Sequence, residues 1–425
     1  MSLIIVLFFV VTSFMGCGQQ QIPQPQTEQQ AQGPIWESVS FPIVTWFGLT
    51  EKQLDSTHFK ELADAGFTVN FSHLGTPELN KKALDLAQQA GVKIIIGDSR
   101  IQPDKPVDAA ALEKIDQVVA DYKDHPALFG YSVRDEPNTS VFENMAAIKK
   151  QILSHDSVHL VYVNLFPDYA NEKQLGTKTY QEHVDKFMQV FQPQILSYDY
   201  YPFTNKGFRD TYYQNMGVIR EAALTSGVPF WAFTMSCEIY PPYPTPKESW
   251  IRLQLYSDLA YGAKGLQYFT YALPHSSSEN FKTAILDDNG KPTYLYGIAK
   301  QVNSEIHSLA STIKQTKSVD VYHTKPLPKR TKPLPKDFYI KDVTGGPMVI
   351  GYLQGQSEDH YLLLINRNYE KKIDFTLSVS EKVMGLMEVP KTEKAEPVVF
   401  ESKNGKIKLS FNEGDGRLFH IHMKK

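Results

Sequence analysis

The sequence predicts an α/β chain, a (β/α)8 TIM barrel followed by a C-terminal antiparallel β-sandwich. Eight apolar strand-like runs recur between residues 42 and 270, separated by helical stretches and by breaks such as Ala-Gly, His-Pro and Ser-Gly. No Gly-rich phosphate loop follows the first run, which argues against a doubly wound open sheet that would alternate in the same way. Beyond Ile313 the texture changes to short alternating runs, the pattern of an antiparallel sandwich.

The predicted barrel strands are residues 42–47, 67–72, 92–97, 128–133, 158–164, 195–200, 229–234 and 265–270. Between them Thr76-Pro77-Glu78 supplies an N-cap with proline at the first helical position, and Gly66, Gly91 and Gly227 follow helical stretches as stops. The sandwich strands are residues 348–353, 361–365, 373–379, 407–411 and 417–423, and no aromatic cluster marks them as a sugar platform. A tandem Thr-Lys-Pro-Leu-Pro-Lys, at 324–329 and 331–336, reads as an extended, solvated, positively charged loop. The expected domains are therefore residues 41–315 and 316–425.

The chain has 425 residues, 42% of them hydrophobic, which is enough for a large core and longer than one typical domain. Its 44 basic and 47 acidic residues give a net charge of -3 without a long single-sign block, so no electrostatic footprint for nucleic acid exists. A neutral substrate follows more easily. With 23 tyrosines, 24 phenylalanines and four tryptophans, the chain could stack on sugars or simply fill a core.

Residues 3–11 form an apolar segment too short to span a bilayer, and Ser13-Phe14-Met15-Gly16-Cys17 after it resembles a bacterial lipobox. The resemblance implies a signal peptide over residues 1–17, lipid on Cys17, a polar tether over 18–40 and anchorage to the membrane of a bacterial cell envelope. Met1-Ser2 departs from the pattern by carrying no basic residue. Once the signal is removed, Cys237 and the lipid-bearing Cys17 leave no intramolecular disulfide and no cysteine zinc cluster.

Side chains at the C-terminal ends of barrel strands converge on one mouth. In strand order the mouth is expected to hold Trp46, then Asn70 with Ser72, Asp98, and the group Arg134, Asp135 and Glu136. Asn164, Asp199 with Tyr201, Trp231 with Glu238, and Tyr271 complete it. This set is acidic, aromatic and rich in hydroxyls. His73, His125 and His275 lack metal-ligand spacing, and there is no Gly-x-Ser-x-Gly elbow, so neither a metal nor a cofactor is expected. Paired carboxylates can protonate a glycosidic oxygen and act at the anomeric carbon, which makes an acid-rich, aromatic-walled mouth suited to an oligo- or polysaccharide.

Three stretches make this specific: Phe129-Gly130-Tyr131-Ser132-Val133-Arg134-Asp135-Glu136-Pro137, Pro229-Phe230-Trp231-Ala232-Phe233, and the run from Arg252 to Phe269 containing Ala260-Tyr261-Gly262-Ala263-Lys264-Gly265. Through them residues 42–315 resemble the barrel of the large clan of retaining glycoside hydrolases, nearest to family-42-type β-galactosidases. The resemblance implies that Glu136, ending strand four, is the acid/base. Asp135 stands where that clan has an asparagine contacting the sugar 2-hydroxyl, so a donor becomes a second acid. The clan's nucleophile would fall near Thr234 or Met235, neither of which can serve; Glu238 is the nearest carboxylate and Asp199 the reserve. Trp46, Asn70, Arg134, Asp135, Asn164, Tyr201, Trp231 and Tyr271 become substrate-binding candidates.

Each position has a plainer reading. Asp135 could cap a helix, Asp199 could bond to a neighbouring loop, and Trp46 and Trp231 could be layers of the barrel core. The sequence thus predicts a glycoside hydrolase cleaving a β-linked glycan or oligosaccharide with retention. The alternative is a non-catalytic carbohydrate-binding protein on a degenerate barrel; a lyase or esterase has only Arg134 in its favour.

Overall fold

Eight short strands buried on both faces build the first part of the molecule: β1 (Ile43–Trp46), β2 (Val69–Gly75), β3 (Lys93–Asp98), β4 (Leu128–Asp135), β5 (Leu160–Leu165), β6 (Leu196–Tyr198), β7 (Phe230–Met235) and β8 (Gly265–Phe269). They pair in parallel in the closed order β1-β8-β7-β6-β5-β4-β3-β2. Each strand lies within a few residues of its predicted run. The computed structural model describes residues 33–424 apart from 277, 357, 358 and 393. The expected signal segment, the lipid-bearing Cys17 and most of the tether lie outside these described residues.

Alternation along the strands sorts their side chains. Val44, Trp46, Val69, Phe71, Phe129, Tyr162, Trp231 and Phe233 fill the interior, whereas Ile43, Ile94, Ile96, Leu128, Val161 and Leu266 face the surrounding helices. Burial on both faces explains why these strands read as continuous apolar runs. Among the described residues eight helices of nine residues or more cover the barrel: α1 (Ser56–Asp64), α2 (Pro77–Ala90), α3 (Ala109–Tyr122), α4 (Phe142–His155), α5 (Tyr180–Val190), α6 (Tyr212–Ser226), α7 (Glu248–Tyr261) and α8 (Tyr294–Gln315). Their ends follow the predicted chemistry. The Thr76 side chain accepts a hydrogen bond from the Leu79 amide, Pro77 opens α2, and Gly91 and Gly227 close α2 and α6 in the left-handed region.

The C-terminal part contains β9 (Lys317–His323), β10 (Ile340–Thr344), β11 (Met348–Gln354), β12 (His360–Asn366), β13 (Ile373–Val379), β14 (Val383–Glu388), β15 (Val398–Glu401), β16 (Lys406–Phe411) and β17 (Gly416–Met423). An antiparallel sheet of order β9-β11-β12-β17-β14-β15 faces one of order β10-β13-β16. Met348, Ile350, Leu362, Leu364, Phe375, Leu377 and Phe419 fill the space between them. The far face of the larger sheet, with Val349, Leu363, Ile365 and Leu418, joins the barrel's outer core.

That junction is close and charged. A Cβ on Gly351 would lie 2.8 Å from the Ala260 backbone, and one on Gly416 would lie 2.5 Å from the Tyr256 ring, so the sheet rests directly on α7. Arg252 of α7 holds Glu305 of α8 through two nitrogens at 2.8 and 2.9 Å, and it reaches Glu248 at 2.7 Å and Asp415 at 3.2 Å. Lys391 joins the group, 2.7 Å from Asp415 and 3.1 Å from Glu305.

Candidate active site

At the mouth of the barrel lies a cavity of about 440 Å³. Trp46 forms part of its floor, its ring packed on Phe71 at 4.2 Å and edge-on to Phe233 at 5.2 Å. Tyr201 and Phe269 form a wall, their rings stacked with centroids 5.4 Å apart, and Tyr243 meets Tyr201 edge-on at 5.7 Å. Asp135, Glu136, Asp199 and Glu279 bring four carboxyl groups to the cavity. Among the described residues no lysine or arginine lines it.

The end of β4 delivers the acids through an irregularity in its pairing. Register shifts between Ser132 and Arg134, which sets Asp135 opposite Asn164 of β5. Glu136 follows with φ +43°, a conformation that non-glycine residues rarely adopt, and its amide donates to the Asn164 carbonyl at 2.9 Å. The strained turn brings Asp135 and its neighbour Glu136 into the same cavity.

Asn164 ties the acids together. Its Nδ2 donates to Asp135 at 3.1 Å and to Asp199 at 3.0 Å, while its Oδ1 accepts from the Ser197 hydroxyl at 3.0 Å. Ser197 in turn accepts from Gln267 Nε2 at 2.8 Å, and the Tyr162 hydroxyl donates to Gln267 Oε1 at 2.6 Å. This chain of partners, buried inside the barrel, fixes which way the amide points. An amide hydrogen aimed at a carboxyl group favours its ionised form.

Burial opposes ionisation. It pushes Asp135 up to about 6, against the pull of the Asn164 hydrogen bond and the Arg134 charge. Asp135 opens onto the cavity and is accessible there, yet protein surrounds its other sides. Burial first, and the Asp135 charge second, push Glu136 up to about 7; a hydrogen bond with the Asp199 carboxyl offsets part of that rise. Asp199 is deeper and is held well above the usual carboxylate range by burial and by the charges of Glu136 and Asp135. Each of Glu136 and Asp199 shifts the other, so their titration belongs to the two together.

The cavity thus gathers Trp46, Asp135, Glu136, Asn164, Asp199 and Tyr201 from the residues expected at the mouth, and the other seven lie elsewhere, Ser72 among them in a neighbouring hollow. Trp231 sits below the cavity as a barrel layer, with its ring against Phe129 at 6.0 Å and an added Cβ on Gly265 falling 2.6 Å from it. Tyr271 points outward onto Phe67 at 5.2 Å. Asn70 also faces outward, accepting from Thr45 Oγ1 at 2.9 Å and from the Leu49 amide at 3.1 Å. Arg134, on the solvent side of β4, lies 3.6 Å from Asp104. Glu238 belongs to a two-stranded ribbon, Glu238–Ile239 against Phe281–Thr283, and accepts from Thr245 at 2.5 Å. The register shifts between Glu238 and Ile239, and of the two it is Ile239 that lines the cavity. Asp98 is held by Arg100 and by the Tyr122 hydroxyl at 2.7 Å.

Several lining residues were not expected. Glu279 comes from the loop after β8, where no periodic pattern marks it, and its charge acts on Glu136. Tyr169 and Tyr243 also stand on loops, and Gln174 stands on the short helix Glu172–Leu175. Phe269 carried a signal, since it ends the last apolar barrel run.

Residues 162–309 match the family model described as β-galactosidase, glycoside hydrolase family 42. The match runs from β5 into α8, includes Asn164, Asp199 and Tyr201, and begins after Asp135 and Glu136. In structure the chain is similar to the β-galactosidase of Bacillus circulans sp. alkalophilus, with TM-score 0.66 and 9% identity over 91% of this chain and 100% of that one. It is also similar to a family 5 glycoside hydrolase from Bacteroides vulgatus ATCC 8482, with TM-score 0.56 and 12% identity over 90% of this chain and 88% of the other. At such identities the likeness establishes a shared fold. The chain spans 60% of the β-galactosidase of psychrophilic Marinomonas ef1. None of the curated proteins matches it in sequence.

Proposed function

We propose that the chain is a glycosidase, similar to the β-galactosidases, that cleaves a β-linked glycan or oligosaccharide with Glu136 as acid/base. The observation that carries this reading is the gathering of the Asp135, Glu136 and Asp199 carboxyl groups, with Asn164 bonded to both aspartates, in an aromatic-walled cavity at the mouth of the barrel. The matching family model supports it. Between pH 6 and 7 Asp135 is largely ionised while Glu136 still holds a proton for the leaving oxygen. A proton donor and an anion in one site are the two halves that glycoside hydrolysis demands. We infer retention, with Asp135 as the attacking carboxylate in place of Glu238.

Proton NMR of p-nitrophenyl β-D-galactopyranoside turnover tests both parts. The β-anomer of galactose is expected first; the α-anomer appearing first would overturn retention. The absence of a carboxylate at Thr234 and Met235 favours a second reading, a carbohydrate-binding protein on a degenerate barrel. Tight sugar binding without turnover of any β-linked glycoside would select it.

The lipobox resemblance supports a lipid anchor on Cys17 in a bacterial cell envelope. Cys17→Ser is expected to move the protein from the membrane fraction to the soluble one. An unchanged distribution on fractionation would sink the anchor.

A further inference from the structure

Next to the carboxyl cavity lies a second hollow of about 200 Å³, lined by Leu49, Thr50, Ser72, His73 and Pro274, and Phe47 lines both spaces. Phe47 is 38% exposed. Its backbone has φ +42°, a conformation that bulky residues rarely adopt. An exposed apolar ring and a strained backbone each disfavour the folded state, and strain of this kind gathers at ligand sites. Among its aromatic neighbours the ring lies 5.8 Å from His73, tilted, and 6.0 Å from Phe269, edge-on.

The strained turn is nonetheless built with care. Gly48 follows Phe47, and a Cβ there would lie 2.0 Å from Asn70 Oδ1 and 2.7 Å from Thr45 Oγ1, so only glycine fits. Asn70 accepts hydrogen bonds from Thr45 and from the Leu49 amide, clamping the turn from the outer face of the barrel. The Gly48 amide donates to the Phe71 carbonyl at 2.8 Å, and the Ala272 amide donates to the Phe47 carbonyl at 2.9 Å. Four bonds thus hold one exposed ring at the boundary between two hollows. Hydroxyl and imidazole groups in the second hollow, from Thr50, Ser72 and His73, can hydrogen-bond sugar hydroxyls.

We propose that Phe47 is a stacking platform for an outer sugar of the substrate, so that the second hollow binds a neutral oligosaccharide unit beyond the one held among the carboxyl groups. The ring then offers a face to the apolar side of a pyranose, as aromatic binding sites do. Asn70 and Gly48 are positioning residues for it. This inference rests on the glycosidase reading, and the test separates the two.

The kinetic probes are p-nitrophenyl β-D-galactopyranoside, whose single sugar fills the carboxyl cavity, and β-1,4-linked galactotetraose, which reaches past it. In Phe47→Ala, the ratio of kcat/KM for the tetraose to kcat/KM for the aryl galactoside is expected to fall about tenfold, the effect of one lost stacking contact. Phe47→Trp is expected to restore it. An unchanged ratio in Phe47→Ala overturns the platform, as does failure of Phe47→Trp to recover it. If the wild type turns over neither probe, that counts against the glycosidase reading for galactosides, and calorimetric titration with the tetraose decides the platform by itself. An approximately tenfold weaker affinity in Phe47→Ala supports it. Equal affinity, or no binding by the wild type, overturns it.

Discussion

Glu136→Gln is expected to lower kcat on an unactivated β-galactoside by about 10³-fold, within the range that general acid catalysis contributes. The amide keeps the shape of the side chain and cannot give a proton to the leaving oxygen. An aryl galactoside with a good leaving group needs less of that proton, so its bond-breaking step should be far less affected. The pH profile supplies a second check. Glu136 is raised to about 7, so its proton is present below that value and lost as pH rises through it. Asp135 is raised to about 6, so its negative charge is lost as pH falls through that value. Wild-type kcat/KM should therefore peak between these limits, and Glu136→Gln should lose the alkaline limb. Wild-type turnover of the unactivated substrate by the variant would remove Glu136 from the role.

Arg252→Met is expected to destabilise the protein by about 3 kcal/mol, the scale for breaking a buried ion pair from one side. The Arg252 side chain is 8% exposed and holds Glu305 with both arms of its guanidinium. Without it the Glu305 and Asp415 charges stay buried with only Lys391 to answer them. Glu305 also predicts a pH dependence. Its carboxyl is lowered from 4.5 to about 2, chiefly by the Arg252 hydrogen bonds working against burial. A lowered folded-state value means that its stabilisation is complete above 4.5 and is lost as pH falls from there toward 2. Urea denaturation of the wild type and Arg252→Met should differ most near neutrality and converge in acid. A constant difference down to pH 2 would place the stabilisation elsewhere.

The barrel was legible because burial on both faces leaves an unbroken apolar run, as in the strand that ends at Asp135. The sandwich was legible only in part. Its central strands, such as Met348–Gln354, carry the same signal, whereas Ile340–Thr344 and Val398–Glu401 are largely exposed and mix polar with apolar residues. Glu136 could be found because a strand end is a fixed address in a barrel. The residues misplaced at the mouth fail on orientation: alternation turns Asn70 outward, and Trp231 lies low on its strand, so a position near a strand end does not reveal depth or face. Glu136 and Asp199 meet from different strands, and Glu279 arrives from a loop without periodicity. Distances between strands, which no local pattern encodes, decide both.

Helix α7 has one more consequence. Every residue from Ile251 to Tyr261 is buried, since the barrel encloses one side of the helix and the larger sheet of the sandwich the other. Such a helix has no solvent face on which substitutions can drift independently. Gly351 and Gly416 on the sheet are matched to Ala260 and Tyr256 on the helix, so a recombination event that joined this barrel to another lineage's sandwich would bring a mismatched surface. The two domains accordingly share one fitted surface, on which a substitution on either side must be matched on the other, whereas the loops at the mouth lie away from that joint.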